Sequence, residues 1–534
     1  MSLHSNKRVP KDKFIRSRPL PPVAISTDSG IKCMDILDGC IMEILLISPP
    51  VFDFYSTSHR MEPLGLIYIK KMLVDHGHSV EIYDATASGK VKPQKIPKEL
   101  EYLQKYYEED SSPFSLHSGY KRFGDSFNKI IKFINDGNFD IIGISSLFSA
   151  YHPDVEELVK EIKKYSKIPV IIGGTAVTAQ KEVLFENSSA DFMISGCGTE
   201  SMPLFADFIA GKLDIEKVPG LIYRKNRNIV SNAPSTEPAW SKDIIPEREN
   251  LRIFRKKKIA KTVLSSGCRN RCSFCSIHRD NKFALREITH IRNEFEYLKN
   301  IGTEIIDIED DDIFSDPHFT EEVLKLLKEF HGSGIQFTAM NGLTAKNILP
   351  IADELVEAGF MKLDLSLVTG SEKAISGMKR PHDLITIEKI VEVVKTRIEV
   401  EVFLIPGLPG TTLDSTLETM IHLNKLKIKC GLSPLYLVPG VPMFESMGIP
   451  ENLRLCRGTA LYPFDSPERS NIASLLKISR FLNYSLTSES DPDFEENRNY
   501  FLKSLQRKKW FRRTKTGEWT DSFEFTGDFS GIKM

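Results

Sequence analysis

The sequence lacks the features of a membrane, secreted or nucleic-acid-coating protein. No apolar run is long enough to span a bilayer, and the basic N-terminal stretch has no apolar core of a secretory signal. Lys and Arg number 71 against 72 Asp and Glu, so no strong net charge points to nucleic acid or a membrane surface. Cysteine is scarce, at eight of 534 residues. We therefore expect a cytoplasmic protein, in which clustered cysteines bind metal or do chemistry rather than form disulfides.

The chain is too long for a single core, so several domains are expected. Residues 1–40 are basic and contain prolines, which is typical of a flexible arm. Over residues 41–215 apolar strands alternate with helical patterns, which predicts a Rossmann-like α/β domain with a parallel sheet covered on both faces. A polar insertion interrupts this domain at residues 88–126, and residues 216–254 are predicted to form a linker with a hairpin.

A second strand and helix alternation runs over residues 255–445. It contains six strand patterns, which are too few for a closed eight-stranded barrel but are typical of a partial, open TIM-type barrel. We expect these strands at 261–267, 303–309, 335–340, 362–367, 399–405 and 431–437. The mixed region at 446–534 is predicted to cap the barrel and to contribute to substrate binding.

Three of the eight cysteines lie in one loop, "SSGCRNRCSFCSIH" (265–278), as Cys268, Cys272 and Cys275. The loop follows the first strand of the barrel-like half, where such folds place their active sites. Three thiolates in one loop can hold three irons of a 4Fe–4S cluster. With His278 they would also make a Cys3His zinc set, so the cysteines alone leave both metals open. The large α/β array around the loop favours the cluster, because structural zinc usually stabilises small, loop-rich units.

The spacing C-x3-C-x2-C, with Phe274 directly before Cys275, resembles that of the radical S-adenosylmethionine (SAM) enzymes. The resemblance covers roughly residues 255–445 and implies that the three cysteines are the cluster ligands and that SAM binds at the open iron. It also implies SAM contacts at the ends of later strands, although Val368 replaces an acidic residue usual in the family. Together with Phe274, the implied cofactor contacts of this half are Glu309, Asp311, Ser366, Pro406 and Gly407.

In the first domain Ser145 and Leu147 form the pattern S-x-L, which Gly173-Gly174 and the segment "GCGTE" (196–200) follow at later strand ends. This pattern resembles that of a cobalamin-binding domain. By themselves such glycines are also typical of strand-to-helix turns or of a flavin or nucleotide site. A cobalt-ligating D-x-H-x-x-G motif is missing after the first strand, and His59 there is expected to be a surface residue. The cobalamin contacts that the resemblance implies are Ser145, Leu147, Gly173, Gly174, Thr175, Gly196, Gly198 and Glu200.

Together the two halves resemble the cobalamin-dependent radical SAM enzymes of the methyltransferase type. This resemblance implies a 4Fe–4S cluster, SAM and cobalamin as cofactors, and an electron donor such as ferredoxin or flavodoxin as partner. The implied activity is transfer of a methyl group from SAM, via methylcobalamin, to an unactivated carbon. The acceptor could be a protein side chain, such as glutamine in methyl-coenzyme M reductase, or a small molecule. Two alternatives are a cyclase or ring-rearranging enzyme without methyl transfer, and a non-catalytic cobalamin or metal sensor.

Overall fold

A seven-stranded, mostly parallel sheet forms the N-terminal half of the described chain. The computed structural model describes residues 41–56, 62–235, 243–277, 283–380, 384–394, 396–464, 466–488 and 490–532. The expected N-terminal arm, His59 and His278 therefore lie outside the described residues. The strands of this half are β1 (Glu43–Ser48), β2 (Val51–Asp53), β3 (Ser79–Asp84), β4 (Val91–Pro93), β5 (Lys121–Phe123), β6 (Ile141–Ser145), β7 (Val170–Gly173), β8 (Phe192–Ile194), β9 (Leu221–Lys225) and β10 (Asn228–Ser231).

The strand order in the large sheet is β10-β9-β8-β7-β6-β1-β3, and the strands from β8 to β3 are parallel. The hairpin β9–β10 pairs antiparallel with β8, so the predicted hairpin extends the first sheet. The direction of strand addition reverses between β1 and β6, and open α/β sheets bind ligands in the crevice at such a point. The crevice lies between the loop after β1 and the loop after β6.

Five helices of the described part of the chain cover this sheet, and their apolar faces explain why they form. In the third helix Val155, Leu158, Val159 and Ile162 are all buried, as their helical spacing predicts. The central strands β1 and β6 are buried on both faces and are therefore almost uniformly apolar. The helices are α1 (Leu64–Asp75), α2 (Phe127–Asp136), α3 (His152–Tyr165), α4 (Thr175–Glu186) and α5 (Gly198–Ile209).

The insertion at 88–126 folds against the C-terminal region instead of lying on the surface. Its strand β5 pairs with β2 on one side and with β4 on the other, as a small antiparallel sheet. Its apolar side chains are buried in one core with the C-terminal aromatic residues; Phe114, for example, lies 5.7 Å from Trp510 between ring centroids. The insertion therefore links the first sheet to the end of the chain.

Six parallel strands form the second half, in two sheets joined by bridges between Phe337 and Phe360 and between Leu343 and Leu365. This is the open six-stranded arrangement that the sequence predicts. The last strand ends at Leu432, earlier than predicted, because Pro434 has no N–H to continue the ladder. The strands are β11 (Arg252–Phe254), β12 (Lys257–Thr262), β13 (Ser265–Ser266), β14 (Ala284–Leu285), β15 (Ile305–Ile308), β16 (Gln336–Thr338), β17 (Lys362–Val368), β18 (Glu399–Leu404) and β19 (Lys429–Leu432), with β11 antiparallel at one edge and β13–β14 a separate short hairpin.

The helices of this half pack outside the strands. The helix that covers the sixth parallel strand, β19, comes from the C-terminal region. Helix 466–485 packs on β19, where Ser479 donates to the carbonyl of Cys430 at 2.6 Å. The helices are α6 (Ile288–Asn300), α7 (Pro317–Gly332), α8 (Ala345–Ile348), α9 (Ala352–Glu357), α10 (Glu372–Gly377), α11 (Leu384–Val394), α12 (Leu413–Lys425), α13 (Pro442–Met447), α14 (Ser466–Ser485) and α15 (Phe494–Arg507), and a terminal hairpin β20 (Lys509–Arg513) and β21 (Trp519–Glu524) follows. Among the described residues, no helix combines the length and apolarity that crossing a bilayer requires.

Buried charges hold the two halves together. Glu62, just before α1, accepts from the guanidinium Nε of Arg248 at 2.8 Å and from the backbone N–H of Lys261 at 2.7 Å. Arg248 and Glu62 are almost fully buried. Removing one partner of such a pair leaves the other charge buried without a counter-charge, which is strongly destabilising. The relative position of the two halves is therefore fixed by specific contacts.

Candidate functional site at the ends of the two sheets

The cysteine loop begins two residues after the short strand β13. Gly267 has φ +68, a left-handed conformation that glycine adopts without strain, and it turns the chain into the loop. The backbone N–H of Cys275 donates to the carbonyl of Cys272 at 3.1 Å, which closes a tight turn between two of the thiols. The loop thus gathers Cys268, Cys272 and Cys275 at the carboxyl end of the first barrel strand.

Cys268 is surrounded by polar groups that orient its sulphur. The backbone N–H and the side-chain amide of Asn270 lie 3.3 and 3.5 Å from Sγ. The carboxylate of Asp312, from the loop after β15, accepts from the amide of Asn270 at 3.3 Å and from Asn347 at 3.0 Å. Burial, with a smaller effect of Asp312, raises the pKa of the Cys268 thiol to about 12. Metal binding at this loop must therefore displace protons from the thiols.

Arg380 connects the cysteine loop to the fourth barrel strand. Its guanidinium lies 3.5 Å from the sulphur of Cys272 and donates to the carbonyl and hydroxyl oxygens of Ser366 at 2.8 and 2.9 Å. It also lies 6.0 Å from the ring centroid of Phe274. The sequence analysis did not identify Arg380, because 108 residues separate it from Cys272 and no local pattern marks it.

The three thiols suit a cluster better than a single ion. All three cysteines are described, yet their sulphurs do not all lie within 4.8 Å of one another. A tetrahedral zinc with bonds of about 2.3 Å needs sulphurs only about 3.8 Å apart. Cysteine thiolates are the usual ligands of 4Fe–4S clusters, so the donor set fits three corners of such a cluster.

The acidic residues after β15 have distinct surroundings. Glu309 accepts from the ammonium group of Lys261 at 2.7 Å. Asp310 is buried and accepts from the backbone N–H of Leu264 at 2.8 Å and from the hydroxyl of Ser265, so it supports the strand that leads into the cysteine loop. Asp311 is half-buried, and burial raises its pKa to about 6. The roles of Glu309 and Asp311 in binding SAM remain predictions.

Replacing Asp310 with asparagine should remove part of the pH dependence of stability. Burial raises the pKa of Asp310 to about 7, compared with about 3.9 in an unfolded chain. The Asp310 carboxyl group therefore stays protonated to a higher pH in the folded state than in the unfolded state. Stability should therefore fall as the pH rises from about 4 to 7, by about 2–3 kcal/mol between pH 5 and 7. Melting curves should show a smaller loss for Asp310→Asn than for the wild type, while the exposed control Asp353→Asn should match the wild type. Equal losses in all three proteins would contradict this role.

The fourth and fifth strands end at the same side of the barrel. Ser366 lies in β17, where the pairing with β18 shifts register before Val368. Val368 has φ +75, is buried, and belongs to an apolar cluster that includes Phe274. After β18, Pro406 and Gly407 line a cavity of about 460 Å³, and Gly407 has φ +94. Their contacts with SAM remain predictions.

Replacing Arg380 with methionine should weaken SAM binding at least about tenfold. The change removes charge-assisted hydrogen bonds that hold Ser366 beside the cysteine loop, and such bonds contribute about 1.5–3 kcal/mol each. Equilibrium dialysis with reconstituted protein measures the affinity, and the electron paramagnetic resonance signal of the reduced cluster should change less on SAM addition. Arg397→Met is a control, because this guanidinium donates to the carbonyls of Val393 and Val394 at the end of the preceding helix, and it should bind SAM normally. If Arg380→Met also binds normally, Arg380 does not position this site.

The carboxyl edge of the first sheet is built from two linked turns. Ser146, next to Ser145, donates from its backbone N–H to Gly173 at 2.7 Å and accepts from Ala176 at 3.1 Å. Gly174 has φ +119, and a Cβ there would lie closer than 3.0 Å to the carbonyl oxygen of Ser146. The hydroxyl of Thr175 donates to the carbonyl of Leu147. Gly174 thus lets the turns after β6 and β7 approach each other.

The predicted glycines differ in the space beside them. A Cβ on Gly173 would meet only one atom, at 3.8 Å, so this glycine faces open space. A Cβ on Gly196 would approach Pro234 to 2.9 Å, and one on Gly198 would approach Ile69 to 2.9 Å. Gly196 and Gly198 therefore serve close packing of the chain, and Glu200 accepts from the hydroxyl of Ser235. Their role as cobalamin contacts remains a prediction.

Large apolar side chains lie exposed at the crevice between the two halves. Leu147 and Phe148 are 54% and 57% exposed, although they directly follow a buried strand. Phe148 lies 6.3 Å from the ring of Tyr436, which follows the last barrel strand. Nearby Ala150 shares the apolar cluster of Phe274. The crevice of the first sheet and the cysteine loop therefore border one site, and its exposed apolar surface and the open face of Gly173 suit a large planar ligand such as cobalamin.

Arg457 fixes this crevice from the C-terminal region. It is fully buried and donates to the carbonyl of Phe52, after β1, at 2.6 Å and to that of Ala150, after β6, at 3.0 Å. Thr459 donates to Asp53 at 2.5 Å. The sequence could not reveal this contact, because more than 400 residues separate Arg457 from Phe52.

Comparison with known proteins agrees with this geometry. The radical SAM superfamily model matches residues 262–423, and the B12 binding domain model matches residues 120–206. The chain is 21% identical to cytidylyl-2-hydroxyethylphosphonate methyltransferase of Streptomyces wedmorensis, over 69% of this chain and 73% of the relative. It is 21% identical to hopanoid C-3 methylase of Methylococcus capsulatus, over 50% of this chain and 46% of the relative. The structure of the methyltransferase TsrM from Kitasatospora setae, with cobalamin and a [4Fe-4S] cluster bound, aligns with TM-score 0.61 and 15% identity over 85% of this chain and 90% of TsrM.

A B12-binding domain followed by a radical SAM domain, with the cysteine loop bordering the crevice between them, defines a cobalamin-dependent radical SAM enzyme. The chain carries both domains in this order, and both relatives are named as methylating enzymes. The family's cofactors are the three that the sequence predicts: a 4Fe–4S cluster, SAM and cobalamin.

Proposed function

We propose that this enzyme transfers a methyl group from SAM to an unactivated carbon of its acceptor, with cobalamin as the methyl carrier. The observation that carries the proposal is the shared apolar cluster of Ala150, Phe274 and Val368, which brings the crevice of the first sheet beside the cysteine loop. A carbon bound between the two edges would be within reach of both cofactors. This arrangement suits a reaction in which both cofactors act on the same acceptor.

The residues of this chain would bind, orient and shield the reactants. When bound, the cofactors supply reductive cleavage of SAM at the cluster and methyl carriage on cobalamin. Cys268, Cys272 and Cys275 would hold the cluster, while Arg380 would keep Ser366 beside them. Leu147 and Phe148 would cover the cofactor in the first domain and exclude water from the crevice.

The acceptor is a separate question, because the relatives are named for different molecules. Their names and structures refer to a cytidylyl phosphonate, a hopanoid and tryptophan. A protein side chain such as glutamine stays a hypothesis for this enzyme.

Product analysis distinguishes the proposed function from its alternatives. Protein reconstituted without oxygen with iron, sulfide and hydroxocobalamin is incubated with SAM, a reductant and a panel of acceptors. Formation of both 5′-deoxyadenosine and S-adenosylhomocysteine, with a methylated acceptor, supports the proposal. 5′-Deoxyadenosine alone supports a rearranging enzyme, and neither product supports a sensor. Cys272→Ala, treated in the same way, corrects for background chemistry.

A further inference from the structure

A group of positive and aromatic side chains lies next to the crevice and has no part in the cofactor contacts described above. Tyr55, in the loop after β1, is 46% exposed and stacks on the ring of His117 at 4.1 Å. Arg480, from α14, donates to the ring nitrogen Nε2 of His117 at 2.9 Å and to the carbonyl of Ser115. Lys121, in β5, is a second nearby cation, and its charge lowers the pKa of His117. Tyr55, His117, Lys121 and Arg480 are called the cationic patch below.

The two cations of the patch have no carboxylate partner. Within the described ranges, no Asp or Glu oxygen lies within 4.0 Å of the charged nitrogens of Arg480 or Lys121. Lys477, one turn earlier on the same helix, has such a partner in Asp110 at 2.8 Å. Arg480 is half-buried, and burial lowers its pKa by more than the nearby Tyr107, Tyr55 and Asp110 raise it. A desolvated cation of this kind is stabilised when a ligand supplies the missing negative charge.

His117 adds a neutral hydrogen-bond donor to the patch. Arg480 can only donate, so Nε2 of His117 must accept and its proton lies on Nδ1. Burial, followed by the charges of Arg480 and Lys121, lowers the pKa of His117 to about 3. His117 is therefore uncharged at neutral pH and does not repel the two cations.

The position of the patch connects it to the methyl acceptor and not to the cobalamin tail. The predicted tail contacts, Ser145, Gly173 and Gly174, follow β6 and β7, whereas Tyr55 follows β1 on the other side of the crevice. A negative charge on Tyr55 would raise the pKa of Tyr436, so the two hydroxyl groups are near each other, and the ring of Tyr436 lies 6.3 Å from that of Phe148. The patch thus borders the space between the two halves, where the acceptor would lie.

We propose that Arg480, Lys121 and His117 bind an anionic group of the methyl acceptor, a carboxylate or phosphoryl group, while Tyr55 packs against its apolar part. This inference rests on the proposed function and narrows the acceptor to an anionic, partly apolar molecule. A neutral lipid or an uncharged glutamine side chain would leave both cations unpaired.

Calorimetry on the holoenzyme tests the patch without knowledge of the acceptor. Phenylphosphonate supplies an aromatic ring with a phosphoryl anion, and benzamide is its neutral counterpart. The wild type should bind phenylphosphonate at least about tenfold more tightly than benzamide, and Arg480→Met and Lys121→Met should each weaken phenylphosphonate binding by about tenfold or more. Arg480→Lys should retain part of the affinity. Lys92→Met, an exposed change on the neighbouring strand β4, should leave it unchanged.

Three results would each overturn the inference. The first is a wild type that shows no preference for phenylphosphonate over benzamide, and the second is variants that bind phenylphosphonate as tightly as the wild type does. The third result is loss of cobalamin from Arg480→Met, measured by absorbance per chain, which would assign the cation to the phosphate of the cofactor. The product analysis above is independent of both measurements. An enzyme without methyl transfer that still shows anion selectivity would refute only the proposed function.

Discussion

Cys272→Ala should lose the cluster and, with it, almost all cleavage of SAM. Only three cysteines lie in the loop, and the change removes the most deeply buried of them, which also faces Arg380. We expect the broad visible absorption and the bound iron to fall close to background after reconstitution. Formation of 5′-deoxyadenosine should fall by at least about 1000-fold, equivalent to about 4 kcal/mol in the barrier.

A matched cysteine separates this effect from a general loss of stability. Cys430 is buried in β19 and has no part in the loop, so Cys430→Ala should keep the iron and the activity. Cobalamin retention should be the same in both variants, because the first domain forms its own core. A Cys272→Ala protein that keeps its iron, or a wild type that holds zinc in place of iron, is incompatible with a 4Fe–4S site here.

Gly174→Val should lose cobalamin while it keeps the cluster. Residue 174 has φ +119, a conformation that a β-branched residue adopts only with strain of about 1–3 kcal/mol. Its Cβ would also collide with the backbone of Ser146, so the turn that carries Leu147 must move. We expect cobalamin bound per chain, measured by absorbance after gel filtration, to fall at least about tenfold.

A glycine in the same domain provides the control. Gly65 lies near the start of α1 with no atoms within 4 Å of the position of a Cβ. Gly65→Ala should retain cobalamin and raise the unfolding free energy slightly, by about 0.5–1 kcal/mol, because alanine favours a helix. Normal cobalamin binding by Gly174→Val would show that the turn between β6 and β7 does not shape the cofactor site.

Local patterns in the sequence predicted most elements of both halves to within a few residues, although the first barrel strand lies at Lys257–Thr262 and not at 261–267. The apolar run before Ser48 and the helical spacing of Val155, Leu158 and Ile162 formed as expected, because burial on a sheet or a helix face depends on neighbours in the sequence. The hairpin at Leu221–Ser231 was also predicted, but its place on the edge of the first sheet was not. Its pairing partner, β8, is the preceding strand of the chain, but no local pattern marks the antiparallel pairing between them.

The sequence by itself determined which residues can hold the cluster, because C-x3-C-x2-C places three thiols in one turn whatever surrounds them. Only the tertiary structure decided the rest of the site. Arg380 reaches Cys272 across 108 residues, and Arg457 reaches Phe52 across 405. Likewise Arg480 meets His117 only because α14 packs against the insertion. Such contacts depend on how whole elements pack, and a side chain that acts through them leaves no pattern among its neighbours in the chain.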